Sequence, residues 1–488
     1  MRKLASHLSW TPYIPTWLCV LLTIIFVLRI PTFFEPYWYG DEAISLAVGN
    51  ALTKGLLLYQ GIYDNKPPLL YLVAAIAGNL FWFKVILAFW HLATIYLFHR
   101  LAKILFEKNN QLVKIATVVF AILTTLPLLE GHIANGEIFM IGPIIGAFAL
   151  LATGKVKTTT IFWAGVMAGT GILFKVPAAL DLGAIIILFI SDKKQWLNKT
   201  FFLSVGVSAP ILMTIFFFAA KSALGDYITS AFLNTLGYLS SWRGEDGDFL
   251  THNQPLVMRG LIVIITSFIL FMVYQKKKIS RPAFFVSLWF VFSLFGALLS
   301  ERPYPHYLIQ VAPSFAFLTA LMVTAKTREQ FLPFPLFSLL GAALIFYKFN
   351  YYAITPYYQN FVGWLAGKYD QNTYFGNFDA KTPTTYQVAR FLTNNSYQED
   401  HLFVWGDHPE IYALTKMTPA TKYIVAYHVR ELNKFDYVAK ILAENPPRFI
   451  VTTLPSPDFP QLDALLSNHY LAVSQLDNAT IWLYLKNN

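Results

Sequence analysis

The 488-residue chain contains a single cysteine, Cys19, inside its first apolar run. No intramolecular disulfide can form, and neither a cysteine metal site nor a thiol nucleophile is suggested. Charge is scarce as well. Only 13% of the residues are Asp, Glu, Lys or Arg, whereas 56% are hydrophobic and 17% aromatic. A soluble domain carries about 25% charged residues. With a mean hydropathy of +0.49, the composition excludes an ordinary soluble globule and indicates a protein that crosses the membrane many times. No small-residue cleavage site follows the first run, so Arg2 and Lys3 read as the flank of a retained anchor. A repeat of solenoid period is missing too. The net charge of +10 calls for no nucleic-acid partner, because positive charge in membrane proteins gathers in cytoplasmic loops.

What is present is a series of apolar stretches, each near the ~20 residues that span a bilayer. They lie at roughly 14–34, 83–100, 114–129, 138–153, 158–174, 176–190, 200–220, 258–275, 281–300, 306–325 and 331–350. This predicts a mainly α polytopic protein with about eleven transmembrane helices, in a range of about ten to thirteen. The basic segments HRLAKILFEKNNQLVK (99–114), GKVK (154–157), SDKKQWLNK (191–199), QKKKISR (275–281) and AKTREQ (325–330) fall at alternate connections. They share a side with Arg2 and Lys3, which puts the amino terminus in the cytoplasm and everything after Tyr351 outside. PPLLYLVAAIAGNLFWF (67–83) would break the alternation, so it is expected to lie in the outer interface. Residues 1–350 then form a transmembrane domain with a first outer loop at about 35–83.

From 351 to 488 charges, Asn, Pro and Tyr rise, and no stretch is long enough to span. Alternating patterns predict a small extracytoplasmic α/β domain with a lead-in around Gly376 and Asn377. Its strands are expected at HLFVWG, KYIVAY, RFIVTT and a final pair turning at Asp477-Asn478. The helices are expected at TYQVARFLTNNS, PEIYALTK and LNKFDYVAKILAEN. In VWGDHPEIYA, Asp407 or His408 is expected to cap the helix opened by Pro409 rather than to bind metal.

Outside the basic loops, polar residues collect on the opposite side. The outer loops hold Glu35, Asp41, Glu42, Asp64 and Lys66, then Glu130, His132, Asn135 and Glu137. Lys175 lies between two short spans. Loop 221–257 contains Asp226, Arg243 and Glu245, and ERPYPHYL contains Glu301, Arg302 and His306. Ionisable groups at the membrane boundary in successive outer loops point to one site. Within YWYGDEAISLAVGN, Asp41 is placed to cap a helix running to Lys54, ended by Gly55. Ile44, Val48, Ala51 and Leu52 share one face of that helix, which would let it lie on the interface. Lys66 precedes two prolines, at phosphate-headgroup depth.

The order of these features is similar to that of the C-type membrane glycosyltransferases. GDEAISLAVGNALTKGLLLYQGIYDNKPPLLYLVAAIAG resembles their first outer loop, most closely in the bacterial family-39-like group of protein O-mannosyltransferases and aminoarabinose transferases. HIANGEIFM supplies the second acid as Glu137, GILFKVPAAL the Lys175 segment, and RPYPHYLIQVAP a late Pro-His-Tyr motif with His306. WGDHPEIYALTKMTPATKY is similar to the outer domain of many members, so the resemblance covers most of the chain. The chain departs from the pattern at Asn65, where many members carry an acid, and at Glu137, often Asp.

The resemblance implies a sugar donor carried on a polyprenyl phosphate and an acceptor that is a glycan, lipid or protein. Asp41 would be the general base, with Glu42 orienting the acceptor or balancing charge and Glu137 holding hydroxyls. Lys66 and Lys175, helped by Arg243, Arg302 and His306, would bind the donor phosphate. Two acids at one site would raise each other's pKa. No cofactor is implied with certainty; a divalent metal stays open, the more so because Asn65 replaces an acid. Two rivals share the bulk features. A lipid-linked-glycan ligase could use loop 221–257, but the Asp-Glu and Lys-Pro-Pro pairing argues for the first family. A transporter or flippase would place its ionisable groups at the midplane.

Overall fold

Leu, Ile, Val and Phe runs with no water to bond their backbone must satisfy it internally, and the helix does so within one segment. The computed structural model describes residues 14–153, 157–191, 195–234 and 254–485. Arg2, Lys3, Arg243 and most of loop 221–257 lie outside the described residues. The chain opens with α1 (Thr16–Arg29), followed by α2 (Gly40–Thr53) and α3 (Leu69–Ala77). Then come α4 (Leu80–Leu105), α5 (Asn110–Leu123), α6 (Gly136–Leu151), α7 (Thr158–Phe174), α8 (Ala178–Ser191) and α9 (Trp196–Ala220). Helices Gln254–Gln275, Arg281–Ala297, Ala312–Thr324 and Pro333–Tyr347 complete the apolar part.

Every apolar stretch in the sequence therefore holds a helix, but the lengths differ. Among the described residues, five helices are long and apolar enough to cross a membrane, and six more are apolar but only 10–17 residues long. A 14-residue helix reaches about 21 Å, short of the ~30 Å hydrocarbon core. α9 and Gln254–Gln275 turn large side chains outward, with Phe216 69% and Ile264 65% exposed. That belongs to a lipid-facing surface rather than a water-facing one. Between helices the packing is close. α7 carries Gly165 and Gly169 one turn apart, and a Cβ at either would run into the backbone of α9, the small-residue device by which membrane helices approach.

Segment 67–83 is divided rather than continuous. α3 stops after nine residues at Gly78, whose φ is +67°, and α4 begins at Leu80 with Asn79 capping through its side chain. Nine residues rise about 14 Å, too little to span.

The carboxy-terminal region carries a five-stranded sheet in the order β2-β1-β3-β5-β4. β1 (His401–Trp405) is parallel to β2 (Thr418–Pro419) and β3 (Phe449–Thr453); β5 (Ala479–Tyr484) is antiparallel to β3 and to β4 (Tyr470–Leu476). The β4–β5 turn falls at Asp477, with φ +45°. One expected strand is absent. KYIVAY is an irregular segment running into a helix, Ala426–Glu431, and the pairing beside β1 comes from the two residues of β2. β-branched content favoured a strand, but the segment is spent on burying Tyr423, Ile424 and Val425. Helix Pro460–His469 was also not legible.

Candidate active site

α2 begins at Gly40, and the residue before it, Tyr39, makes no side-chain cap. Asp41 thus does not cap the helix as the sequence predicts. Its carboxylate accepts instead from Lys66 Nζ at 3.1 Å. Gly55, with φ +88°, does lie just beyond the helix end. α2 was expected to rest one face on the interface, yet Glu42 to Ala51 are all buried. α3 packs on one side and helix Pro409–Thr415 on another. A Cβ at Gly49 would come 2.6 Å from Ala75 N, so α2 and α3 close only over glycine.

Lys66 Nζ stands between Asp41 and Asp64, 3.5 Å from the latter. Asp64 is fully buried and accepts from Tyr71 Oη at 2.6 Å and from Asn65 N at 2.8 Å. His428 Nε2, from the carboxy-terminal region, lies 3.4 Å from it. Burial pushes the Asp64 carboxyl up, but Lys66, His428 and Tyr71 outweigh that and hold it well below the usual carboxylate range. The acid missing at position 65 is thus found one residue earlier, fixing the loop that presents Lys66.

A second ion pair joins Lys175, at the break between α7 and α8, to Glu137 in the first turn of α6. The Lys175 ammonium lies 4.5 Å from the Tyr307 ring centre. His306, in a 3-10 turn at Pro305–Gln310, connects the parts: Nε2 is 3.9 Å from Glu137, and Nδ1 bonds to Glu130. Tyr39 Oη donates to the same Glu130 carboxylate at 2.8 Å. Glu130 adopts φ +56°, a costly conformation for a non-glycine residue. The two pairs act on each other. Burial raises the Asp41 carboxyl, yet Lys66, then His306 and Lys175, hold it below its ordinary value. The mutual raising expected of neighbouring acids is therefore outweighed here by cations.

Glu42 takes a different environment. It is 2.7 Å from Lys84 Nζ and accepts from Ala134 N at 2.6 Å. Lys84 also bonds Glu35 at 2.8 Å and the His132 carbonyl at 3.0 Å, and its side chain is wholly buried. Burial pushes the Glu42 carboxyl up by more than Lys84 pulls it down, so its pKa lies above the ordinary value. Arg302 points to the carboxy-terminal region, 3.7 Å from Glu431. In that region neither Asp407 nor His408 caps helix Pro409–Thr415; Asp407 accepts from Tyr427 N instead.

Four contributors escaped the sequence reading. Glu130 and Asp64 stood among the polar outer-loop residues without a role, and Tyr39 gave no signal. Lys84 was absorbed in an apolar run, although a lone cation inside such a run is itself a signal. Among the described residues, no group of three or more His, Cys, Asp or Glu side chains is arranged to hold a metal ion.

Loop 301–306 also leads to a cavity. Glu301, five residues before His306, sits 2.9 Å from Arg259, which donates to Tyr347 Oη at 3.0 Å. Arg259 and Tyr347 head a cavity of about 560 Å³, otherwise walled by Ile, Val, Leu, Ala and Phe side chains of Gln254–Gln275, Arg281–Ala297 and Pro333–Tyr347. A cation over an oily slot suits an anionic head on a long apolar tail.

No family model matches the sequence, and no curated protein is similar enough to count as a relative. Solved structures are alike in fold. ArnT, the aminoarabinose transferase of Cupriavidus metallidurans, bound to undecaprenyl phosphate, aligns over 96% of this chain and 98% of its own, with 12% identity and a TM-score of 0.57. Its apo form aligns over 96% and 97%, with 12% identity and a TM-score of 0.53. An Archaeoglobus fulgidus oligosaccharyltransferase tethered to an acceptor peptide aligns over 90% of this chain and 69% of its own, with 14% identity and a TM-score of 0.46. Over 96% of its length, the chain has the fold of ArnT.

Proposed function

We propose that the protein is an integral-membrane, inverting glycosyltransferase. It moves a sugar from a polyprenyl phosphate to an acceptor hydroxyl on the extracytoplasmic face. The observation that carries the reading is the cluster itself: acids and cations from α2, the Lys66 loop, α6, the α7–α8 break and the 3-10 turn meet around Asp41. Residues this far apart in sequence converge without a packing need for charge.

Asp41 is the base. With its pKa held low it is a carboxylate at neutral pH, and its side chain remains 34% exposed. It accepts the proton of the acceptor hydroxyl as that oxygen attacks the anomeric carbon. The bond from that carbon to the phosphate oxygen breaks, the electron pair leaves with the lipid phosphate, and configuration inverts. General-base help of this kind contributes about 10²–10⁴ in rate. The leaving phosphate gains negative charge, so Lys66 and Lys175 stabilise the transition state more than the ground state. His306 adds to their field, and Arg243 and Arg302 are assigned as helpers. Glu137 has one carboxylate oxygen without a hydrogen-bond partner and holds a substrate hydroxyl. Glu42 balances Lys84. The apolar cavity under Arg259 receives part of the lipid carrier. In this reading eleven helices cross the membrane, the amino terminus is cytoplasmic, and residues 351–488 form an extracytoplasmic domain over the site.

The test is transfer from radiolabelled polyprenyl-phosphate sugars by purified protein. Asp41→Asn is expected to lower transfer by about 10²–10⁴ and leave lipid-phosphate binding intact; full turnover in the variant removes Asp41 from the mechanism.

A further inference from the structure

A second cavity, of about 420 Å³, adjoins the cluster. Trp38, which lines it, precedes Tyr39, and His132, which also lines it, follows Glu130 by two residues. The mechanism above uses neither. The volume falls within the range of small-molecule sites, about 300–1,000 Å³.

The walls have an unusual composition. Trp38 and His132 lie nearly parallel, 18° apart with ring centres at 6.3 Å. Phe378 is 5.7 Å from Trp38, and Tyr357 stands edge-on to His132 at 5.0 Å. The amide residues Gln359, Asn360 and Asn377 also line the space, with Asn377 Nδ2 donating to Asn360 Oδ1 at 2.8 Å, and among the described residues no Lys or Arg does. Burial, then Lys84 and Arg29, hold the His132 imidazole well below its ordinary range, so it is neutral and adds no positive charge.

Two of the lining residues carry a buried nitrogen without a hydrogen-bond partner, Trp38 Nε1 and His132 Nδ1. A purely apolar ligand would not need the amides. An anion would meet no cation. A ligand with an apolar C–H face for the rings and hydroxyls around its edge satisfies every element.

We propose that this cleft is a carbohydrate subsite that holds a sugar ring of the acceptor glycan beside the Tyr39–Glu130 edge of the cluster. The carbohydrate half of the statement stands on the cavity alone; the acceptor half rests on the transferase reading.

The test uses the full chain in lipid nanodiscs, titrated with maltotriose, mannotriose, chitotriose and a rhamnose trisaccharide, and read by saturation-transfer NMR and calorimetry. At least one is expected to bind, and Trp38→Ala to weaken it by about tenfold or more, equivalent to about 1.4 kcal/mol. Trp38 packs against Tyr39, Tyr352 and Phe378, so exposed Gln359→Ala serves as a second variant that the fold tolerates, with a smaller weakening in the same direction. Binding of none of the four, or binding indifferent to both cleft variants, overturns the subsite. Trisaccharide binding without any transfer from polyprenyl-phosphate sugars would instead sink the transferase reading and leave the cleft standing. Transfer whose acceptor KM ignores both cleft variants would do the reverse.

Discussion

Asp41 and Glu42 are consecutive and carry the same charge, yet they belong to clusters of opposite character. The Glu42 cluster is sealed: Lys84 and Glu35 have no exposed side-chain surface, Glu42 has 3%, and three acceptors surround the ammonium. The Asp41 cluster is open, with Lys66 and Lys175 each 17% exposed and a buried Glu137 oxygen left without a partner. One helical step of about 100° turns the first carboxylate toward the open cluster and the second toward the core. The comparison teaches that adjacent acids must be judged by what their cations also touch. A cation with all its acceptors in place locks structure. A pair with room for another oxygen can do chemistry.

That contrast can be broken at its strongest point first. Lys84→Ala leaves Glu35 and Glu42 facing each other in the dry interior. Removing one partner of a buried pair costs about 3–5 kcal/mol. Denaturant unfolding in detergent should register that loss, and any residual folded protein should keep its turnover. Near-native stability in this variant would mean the cluster is hydrated and not structural.

Glu42→Gln sharpens the comparison with its neighbour. The amide keeps the bond from Ala134 N but loses the charge opposite Lys84. A loss of about 1.5–3 kcal/mol is expected for a charged hydrogen bond. Transfer per folded molecule should change far less than in Asp41→Asn. Should Glu42→Gln melt like the wild type yet transfer no sugar, the two carboxylates have been assigned the wrong way round.

A separate test concerns a buried carboxylate outside both clusters. Glu410, in the helix packed on α2, has one oxygen without a hydrogen-bond partner, and burial pushes its pKa up to about 8. Because the folded state favours the protonated form, stability is fully present below the ordinary carboxylate range. It declines as pH rises toward about 8 and is flat above. Glu410→Gln should remove that slope, so its melting temperature and that of the wild type diverge between pH 5 and pH 8.5. Parallel pH profiles would show that Glu410 is already ionised in the fold.

Much of the fold was legible because the bilayer imposes long apolar runs and charge asymmetry, both one-dimensional signals. The helices of α4, α7 and α9 and the strands β1, β3, β4 and β5 follow from such patterns. KYIVAY misled because its β-branched residues answer to burial as well as to strand geometry. Asp41, Lys66, Glu137, Lys175 and His306 could be named from their places at segment boundaries. Tyr39 and Glu130 could not, since a hydrogen bond across 91 positions leaves no local trace. The capping expected of Asp41 failed for a related reason: Lys66 competes for the same oxygen, and only the folded loop brings it near.

The sequence by itself determined that this protein lives in a membrane, where its helices run and that its charges collect between the apolar runs, because hydrocarbon selects residues one segment at a time. Tertiary structure alone decided which charges meet, which of two neighbouring acids stays open, and that aromatic and amide groups from distant loops enclose a shared cavity. Those outcomes depend on distances between segments, and electrostatic and hydrogen-bond energies are set by such distances rather than by order along the chain.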